Sequence, residues 1–261
     1  MLTAITRGVS PAIVNCELTF IARAPIDLAK AIEQHRGYEQ VLEKFGAKVI
    51  SLPAEPALAD SMFVEDPAMV LDEVALIFPL GTVSRRAEAA SLAKLLSQLR
   101  ETKFVQLPGA AEGGDILRVE RRLFAGLSKR TNAEGIRQLQ TIVEKYDYTV
   151  MAVPVSGCLH LKSAVTFLGR NTLLANRNWF DATTMPGFEW IDVAPEEPHA
   201  ANALAFGDTV ILPASFPLTR TRIEARGFKV LPLDISELQK AESGLTCSSL
   251  LFDAITSVGE K

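Results

Sequence analysis

Asp115-Ile-Leu-Arg-Val119, Glu120-Arg121-Arg122, Leu123-Phe-Ala-Gly126, then Lys129-Arg130-Thr131 and Glu134–Lys145, is the stretch on which the fold turns. It reads as an apolar strand, a charged turn, a second apolar strand, a short loop and an amphipathic helix. The same order stands upstream as Met69–Leu71, Asp72-Glu73, Val74–Phe78, Ser84-Arg85-Arg86 and a helix over Ala87–Leu99. It recurs downstream as Ala203–Phe206, Gly207-Asp208, Thr209–Leu212, Thr219-Arg220-Thr221 and a helix over Arg222–Arg226. Between these lies Leu161–Leu168, Gly169-Arg170-Asn171, Thr172–Ala175, a strand-turn-strand whose helix is degenerate. At the N-terminus an amphipathic helix opens within residues 20 to 34, where Pro25 and Asp27 suit a helix start. It runs to about Phe45, is stopped by Gly46, and leads into a strand over Lys48–Pro53.

This makes about five ββαβ-like units of roughly 40–50 residues, too small to bury an apolar face alone. Units with one helix apiece suit a closed radial arrangement, helices outside and loops meeting at the centre, which leaves few exposed sheet edges. An open doubly wound sheet is the competitor, but its parallel strands need a helix between every pair, whereas here the strands come as hairpins. No low-complexity stretch or linker divides the chain, so the expected organisation is one α/β domain over residues 1–261.

Composition narrows the function. Of 261 residues, 48% are hydrophobic and 22% charged, with a net charge of −4 and no acidic or basic block, which disfavours nucleic acid and anionic membranes as partners. The N-terminal Met1–Arg7 lacks the apolar core of a signal peptide, and Val74–Phe78, ended by Pro79, is far short of a membrane span. Three cysteines, Cys16, Cys158 and Cys247, without clustered spacing, fit a reducing, cytoplasmic setting. Only Cys158 and His160 are near neighbours, at a spacing that suits no usual zinc motif.

Four segments carry chemistry. Asp60, Glu65 and Asp66 alternate with apolar Met62, Phe63 and Val64; in an extended segment Asp60 and Asp66 would share a face and Glu65 take the other. Glu112-Gly113-Gly114-Asp115 sets an acidic pair at a glycine turn before a strand. Gly157–Ser163 places His160 at an apolar strand opening, and Gly244–Leu250 places Cys247 between hydroxyl residues, at the end of a strand. Singly, each has a plain reading: a solvated loop, turn chemistry, a core histidine, an inert buried thiol. Arg85 and Arg130 at helix starts oppose the helix dipole, a local conflict that invites a functional reason. Together, a thiol and a histidine imply covalent catalysis with acid–base help. Carboxylates around a thiol oppose its ionisation unless the substrate is itself a planar cation, a guanidinium; two arginines could then hold a carboxylate at its far end.

Asp60–Asp66, Ser84-Arg85-Arg86, Glu112–Asp115, Lys129–Gly135, Leu159–Ser163 and Leu245–Ser249, in this order, closely resemble the dimethylarginine dimethylaminohydrolase family of the guanidine-modifying superfamily. The resemblance implies a five-bladed, pseudo-symmetric α/β propeller, the pentein fold. It implies cysteine-dependent hydrolysis of an Nω-substituted arginine, most simply the dimethyl or monomethyl form, to citrulline and an amine through a covalent S-alkylthiouronium. It makes Cys247 the nucleophile, His160 the general acid and base, and Glu112 an aid at the guanidinium. Asp66 would grip the guanidinium nitrogens, Asp60 and Glu65 would line the pocket, and Arg85 and Arg130 would take the α-carboxylate. Leu18 would belong to a lid after the first strand, and Ala241 would offer a backbone group to the amino-acid end. The implied partner is a small guanidino amino acid, with no metal or organic cofactor; a homodimer is left open.

Two departures stand out. The family has Thr-Arg-Pro-Gly ahead of Ser-Arg-Arg, where this chain has Phe78-Pro79-Leu80-Gly81, and the lid segment Asn15–Thr19 carries Cys16 and Glu17. Both lie near the pocket mouth and leave open hydroxyarginine or free arginine as substrate. A non-catalytic propeller that binds a partner is the reading from another class, but it has no reason to keep Cys247, His160, Glu112 and Asp66 together.

Overall fold

A computed structural model of the chain describes residues 1–254. Strand β1 (Leu2–Arg7) leads through helix α1 (Leu28–Lys44) to β2 (Lys48–Leu52), which pairs with it in parallel. Next, β3 (Ala68–Val70) and β4 (Val74–Ile77) form a hairpin, and α2 (Ala89–Leu96) returns the chain to β5 (Glu101–Phe104), parallel to β4. The unit repeats as β6 (Ile116–Val119), β7 (Arg122–Leu127), α3 (Ala133–Val143) and β8 (Thr149–Pro154). A four-residue helix, α4 (Leu161–Ala164), introduces β9 (Val165–Gly169), β10 (Thr172–Ala175) and β11 (Glu189–Asp192). The fourth hairpin is β12 (Leu204–Phe206) and β13 (Thr209–Pro213), followed by α5 (Pro217–Glu224) and β14 (Lys229–Leu233). After α6 (Ser236–Gln239), β15 (Leu250–Asp253) runs antiparallel to β1 and completes the first sheet in the order β15-β1-β2.

Five three-stranded sheets with the same internal order therefore form the blades of a propeller. Four blades are one hairpin plus one parallel strand, the first has the β15–β1 pair in place of the hairpin, and the parallel strand of each blade (β2, β5, β8, β11, β14) is its least buried. Val74–Ile77 and Thr172–Ala175 are buried throughout, whereas β2, β5 and β14 alternate between exposed and half-buried. Apolar residues gather in five clusters, each astride two neighbouring blades. Leu76 and Val74, for example, meet Ile116, Leu123 and Leu139, and Ile5 and Phe252 meet Val70, Ala75 and Ile77. The core is thus a ring of five seams, which is why no unit can stand alone.

Local chemistry sets the boundaries. Asn132 caps α3, its side-chain oxygen accepting from Gly135 N at 2.8 Å. Arg170 and Asn171 both take positive φ, +48° and +56°, the conformation of a tight two-residue hairpin turn. The sequence reading placed the start of α1 too early: Asp27 is its N-cap, accepting from Lys30 N at 3.1 Å, and Phe20–Ile26 lie outside the helix. It placed α5 too late, since Pro217 opens that helix. Leu161–Ala164, read as strand, forms α4, because Asp115 Oδ1 accepts the Leu161 N–H at 2.9 Å and draws the chain into a turn. Between β10 and β11 only a single 3-10 turn, Ala182–Thr184, stands where the other blades carry a helix. Among the described residues, no helix is long and apolar enough to cross a membrane.

At Gly113 an added Cβ would overlap the carbonyl oxygens of Glu65 and Ala68, both backbone atoms that cannot swing away. Gly113→Ala should therefore cost about 1–3 kcal/mol of stability, as overpacked sites do. Urea denaturation should show a lower midpoint at unchanged slope; an unchanged midpoint would mean that this crossing of loops is not rigid.

Candidate active site

A tight cavity lies at the centre of the ring, where loops from several blades meet, with room for about one water molecule. Asp60, Asp66, Arg85, Arg130, His160, Ala241 and Cys247 line it, together with Glu17, Phe63, Leu159, Glu242 and Ser243. Seven of the residues singled out in the sequence therefore converge, from positions nearly two hundred residues apart.

Glu112 stands behind the cavity wall, fully buried, immediately before the 3-10 turn Gly113–Asp115. Its Oε2 lies 2.6 Å from His160 Nε2, and its Oε1 accepts the Gly81 N–H at 3.1 Å and faces Arg130 Nη1 at 3.5 Å. His160 is the N-cap residue of α4, not part of a strand, and its Nδ1 lies 3.8 Å from Asp66 Oδ1. Burial disfavours its charge, but Asp66 and the hydrogen bond to Glu112 outweigh that and push its pKa up to about 9. Burial works against the Glu112 charge as well, yet the His160 hydrogen bond and charge, helped by Arg85 and Arg130, hold its pKa down to about 2. The pair is imidazolium and carboxylate near neutrality.

Cys247 sits in the 3-10 turn Thr246–Ser248 that leads into β15, so it precedes a strand and does not end one. Its sulfur accepts the Gly244 N–H at 3.4 Å, and its carbonyl accepts the Glu65 N–H at 3.3 Å. Burial, reinforced by Glu65 and Asp66, pushes its pKa up to about 12. Without an incoming positive charge the group is a thiol.

The acidic segment 60–66 runs through successive turns and is not extended. Asp60 accepts the Glu17 N–H at 3.1 and 3.3 Å, and burial raises its pKa. Asp66 Oδ2 takes Arg85 Nη1 at 2.9 Å, while its Oδ1 is buried with no hydrogen-bond partner. A buried, unpaired carboxylate oxygen in a cavity wall is a place made for a donor from a ligand. Glu65 nonetheless points the other way from Asp66, by the course of these turns and not by strand alternation. It pairs with Lys162 and accepts Thr246 Oγ1 at 2.7 Å, and it lines a separate cleft on the opposite side together with Gly113 and Leu250.

The segment after β1 covers the mouth. Thr19 and Phe20 donate their N–H groups to Glu242 at 2.7 and 2.9 Å, and Glu242 holds a left-handed φ of +58° to receive them. Arg130 Nη2 reaches Thr19 Oγ1 at 3.2 Å, and Ser84 Oγ donates to Glu17 Oε1 at 2.6 Å. Leu18 does not line the cavity; it packs, partly buried, against the cluster that contains Ala241 and Leu245.

Two functional neighbours escaped the sequence reading. Glu88, three residues after Arg85, grips it through Nε at 3.0 Å and Nη2 at 2.9 Å; the i, i+3 spacing in Arg85-Arg86-Ala87-Glu88 was the available signal. Gly114 has no room for a side chain, since a Cβ would meet His160 Nδ1 at 2.6 Å and Asp66 Oδ1 at 2.9 Å. Among the described residues Asp66, Glu112 and His160 bring donor atoms within 4.8 Å of one another, close enough in principle for a metal ion. In the structure His160 Nε2 and Glu112 Oε2 meet each other directly at 2.6 Å.

That pair sets a pH window. The His160 pKa rises from 6.5 to about 9 on folding, so its stabilisation is complete below pH 6.5 and fades as pH climbs to 9. Glu112 falls from 4.5 to about 2, so its contribution is complete above pH 4.5 and fades toward pH 2. Chemical denaturation should show stability falling between pH 6.5 and 9 in the native chain and flattening over that range in His160→Gln. The same fall in both would place the alkaline loss elsewhere.

Comparison with known proteins agrees with this geometry. The family profile described as N,N dimethylarginine dimethylhydrolase, eukaryotic, matches residues 22–182. The chain is 36% identical over 228 residues to the N(G),N(G)-dimethylarginine dimethylaminohydrolase of Pseudomonas aeruginosa, covering 87% of this chain and 90% of the relative. It is 34% identical over 248 residues to the enzyme of that name from Streptomyces coelicolor, covering 95% of each. A cysteine-to-serine variant of the Pseudomonas aeruginosa protein, complexed with citrulline, superposes with a TM-score of 0.90 at 34% identity over 97% of this chain and all of that one. A histidine-to-glycine dimethylarginine dimethylaminohydrolase in adduct with S-methyl-L-thiocitrulline gives the same score, identity and coverage. The N-terminal domain of a cyanobacterial arginine dihydrolase shares the fold, with a TM-score of 0.82 at 19% identity over 96% of this chain and 98% of that domain.

Proposed function

The chain belongs to the dimethylarginine dimethylaminohydrolase family, and from that premise we propose that it hydrolyses Nω-methylated arginine to citrulline and a methylamine. One observation carries the reading: a thiol, an imidazolium–carboxylate pair and an unpaired buried carboxylate oxygen share one cavity, formed by Cys247, His160 with Glu112, and Asp66. The cavity is built to receive a planar cation, and each group has a use once one arrives.

The guanidinium docks with its N–H groups on Asp66 Oδ1, the acceptor that the protein leaves free. Its positive charge beside Cys247 offsets the burial and the carboxylates that otherwise keep the thiol protonated, so the thiol gives its proton to solvent and forms the thiolate only when substrate is present. The thiolate attacks the guanidinium carbon. His160, already protonated, gives its proton to the departing methylamine as the carbon–nitrogen bond breaks, leaving an S-alkylthiouronium on Cys247. Neutral His160 then takes a proton from water, the hydroxide adds to the same carbon, and the carbon–sulfur bond breaks as the adduct's hydroxyl proton passes to sulfur, releasing citrulline and restoring the Cys247 thiol. Glu112 holds the imidazole orientation through both half-reactions and stabilises its charged form.

At the far end of the substrate, Arg130 and Arg85 take the α-carboxylate and Asp60 the α-ammonium, with Leu18 and Ala241 supplying the lid and wall. In the free protein Thr19 occupies Arg130 and the Glu17 amide occupies Asp60, so the covering segment holds the places that the amino-acid end would take. Glu65 enters the reading through the Cys247 backbone and the Lys162 pair, as the floor beneath the nucleophile. Three free cysteines fit the cytoplasmic, reducing location that belongs to this reading.

Cys247→Ser should lose turnover while keeping fold and affinity, since a serine hydroxyl lacks a thiol's capacity to ionise. A citrulline assay with a panel of methylated, hydroxylated and free arginines tests both variant and substrate; substantial product from the serine variant would remove Cys247 from its role. The decarboxylated analogue should lose about 10–100-fold in kcat/KM, the value of one charged hydrogen bond at roughly 1.5–3 kcal/mol. Arg130→Lys should penalise the amino acid but spare the analogue, because an ammonium cannot copy the planar fork. Equal efficiency toward both substrates in the native enzyme would assign these arginines to the fold alone.

A further inference from the structure

Glu88 is a buried carboxylate on Arg85 that the reaction does not use. Its two oxygens take Nε and Nη2 of Arg85 at 3.0 and 2.9 Å, and Nη1 goes to Asp66 at 2.9 Å. Glu88, Arg85 and Asp66 are 3%, 4% and 3% exposed, so water screens none of these contacts. Arg85 thus stands between two carboxylates before any substrate arrives, with one N–H on Nη1 and one on Nη2 still uncommitted.

Substrate changes the balance. Its guanidinium offsets Asp66, but its α-carboxylate brings a third negative group to the same arginine. Three carboxylates about one buried guanidinium cannot all stay ionised, and the one that binds protons most readily gives up its charge. An α-carboxyl has an ordinary pKa of roughly 3.3–3.7, below that of any side-chain carboxyl. Glu88 is therefore the member that yields. We propose that Glu88 is a proton-linked positioning residue: its carboxylate competes with the substrate's α-carboxylate for Arg85 and takes a proton from solvent when the amino acid binds. The inference rests on the assignment of Arg85 to the α-carboxylate made above.

The surroundings of Glu88 support it. Burial is the largest influence and raises its pKa, Arg85 opposes that, and Asp60 and Asp66 from the turns before β3 add to the rise, bringing it to about 7. Arg7 of β1 also feels the Glu88 charge, but its own donors go to Glu55 at 2.8 Å and Ser91 at 2.6 Å. No second cation is committed to Glu88, so its ionisation follows the state of Arg85.

Calorimetric titration of the Cys247→Ser protein in buffers of different ionisation enthalpy tests this directly. At pH 7 the methylated amino acid should bind with uptake of about half a proton, and its Kd should rise up to about tenfold per pH unit above 7. The decarboxylated analogue, which keeps the guanidinium and the amine, should bind more weakly, take up no proton and show no such slope. Adding Glu88→Gln, which mimics the protonated form, should abolish the uptake and tighten amino-acid binding by about tenfold at pH 8, a gain that the loss of a merely structural contact would not give. The two ligands alone decide the matter if that variant does not fold. Tighter binding of the amino acid without proton uptake, or equal uptake with both ligands, refutes the role of Glu88. Equal affinity for the two ligands instead refutes the carboxylate assignment to Arg85, and the present inference falls with it.

Discussion

The antiparallel pairing of β15 with β1 is the constraint on which everything else depends. It places β1 and β15 in one sheet and completes the first blade beside four hairpin blades. Without it β1 presents an open edge, and the seam that packs Ile5 and Phe252 against Val70 and Ile77 is lost. The same pairing delivers the nucleophile. Cys247 lies three residues before β15, and its carbonyl is fixed by the Glu65 amide of the second blade. Closure of the fold and assembly of the site are one event.

Within the ring, burial does most of the electrostatic work by making every charge depend on a partner. Cys247 is held as a thiol because burial and two acids disfavour its anion, and His160 is held as a cation because Asp66 and Glu112 overcome the same burial. The pair thus departs from the usual thiolate–imidazolium pair at the sulfur alone: Cys247 is too weak an acid to be active at rest, while His160 keeps the imidazolium form and cannot act first as a base. A cation of the right shape corrects the first condition, and departure of the amine corrects the second. Selectivity for a guanidinium over a neutral amide follows from the resting state as much as from any contact.

The architecture was legible because hairpins such as Met69–Phe78 and Asp115–Gly126 carry their turns and apolar runs in plain sequence. The half-exposed parallel strands were less so, since Glu101–Phe104 and Glu189–Asp192 have neither alternation nor apolar density; their pairing comes from the neighbour, not from their own residues. The entrance of α1 was misplaced because Phe20–Ile26 is apolar enough to continue the helix, yet Thr19 and Phe20 are drawn off by Glu242, more than two hundred residues away. At the site, Asp66, His160 and Cys247 could be picked out by type and motif. That Glu65 faces the other cleft is a fact of packing that spacing along the chain does not encode, whereas the grip of Glu88 on Arg85 had its signal in their i, i+3 spacing.

The segment Phe78-Pro79-Leu80-Gly81, which departs in its letters from the family pattern, contributes to the site through one atom pair, the Gly81 amide on Glu112. The glycine itself is dictated by the Arg130 carbonyl, which a Cβ would approach to 2.6 Å. Upstream of that point Phe78 and Leu80 are buried, so the loop requires apolar bulk and a main-chain course, which more than one sequence can supply. Such a site inherits a path rather than a spelling. Two descendants could drift apart in this loop, residue by residue, and still hand the same hydrogen bond to the same carboxylate, so divergence here records elapsed time more faithfully than it records a change of substrate.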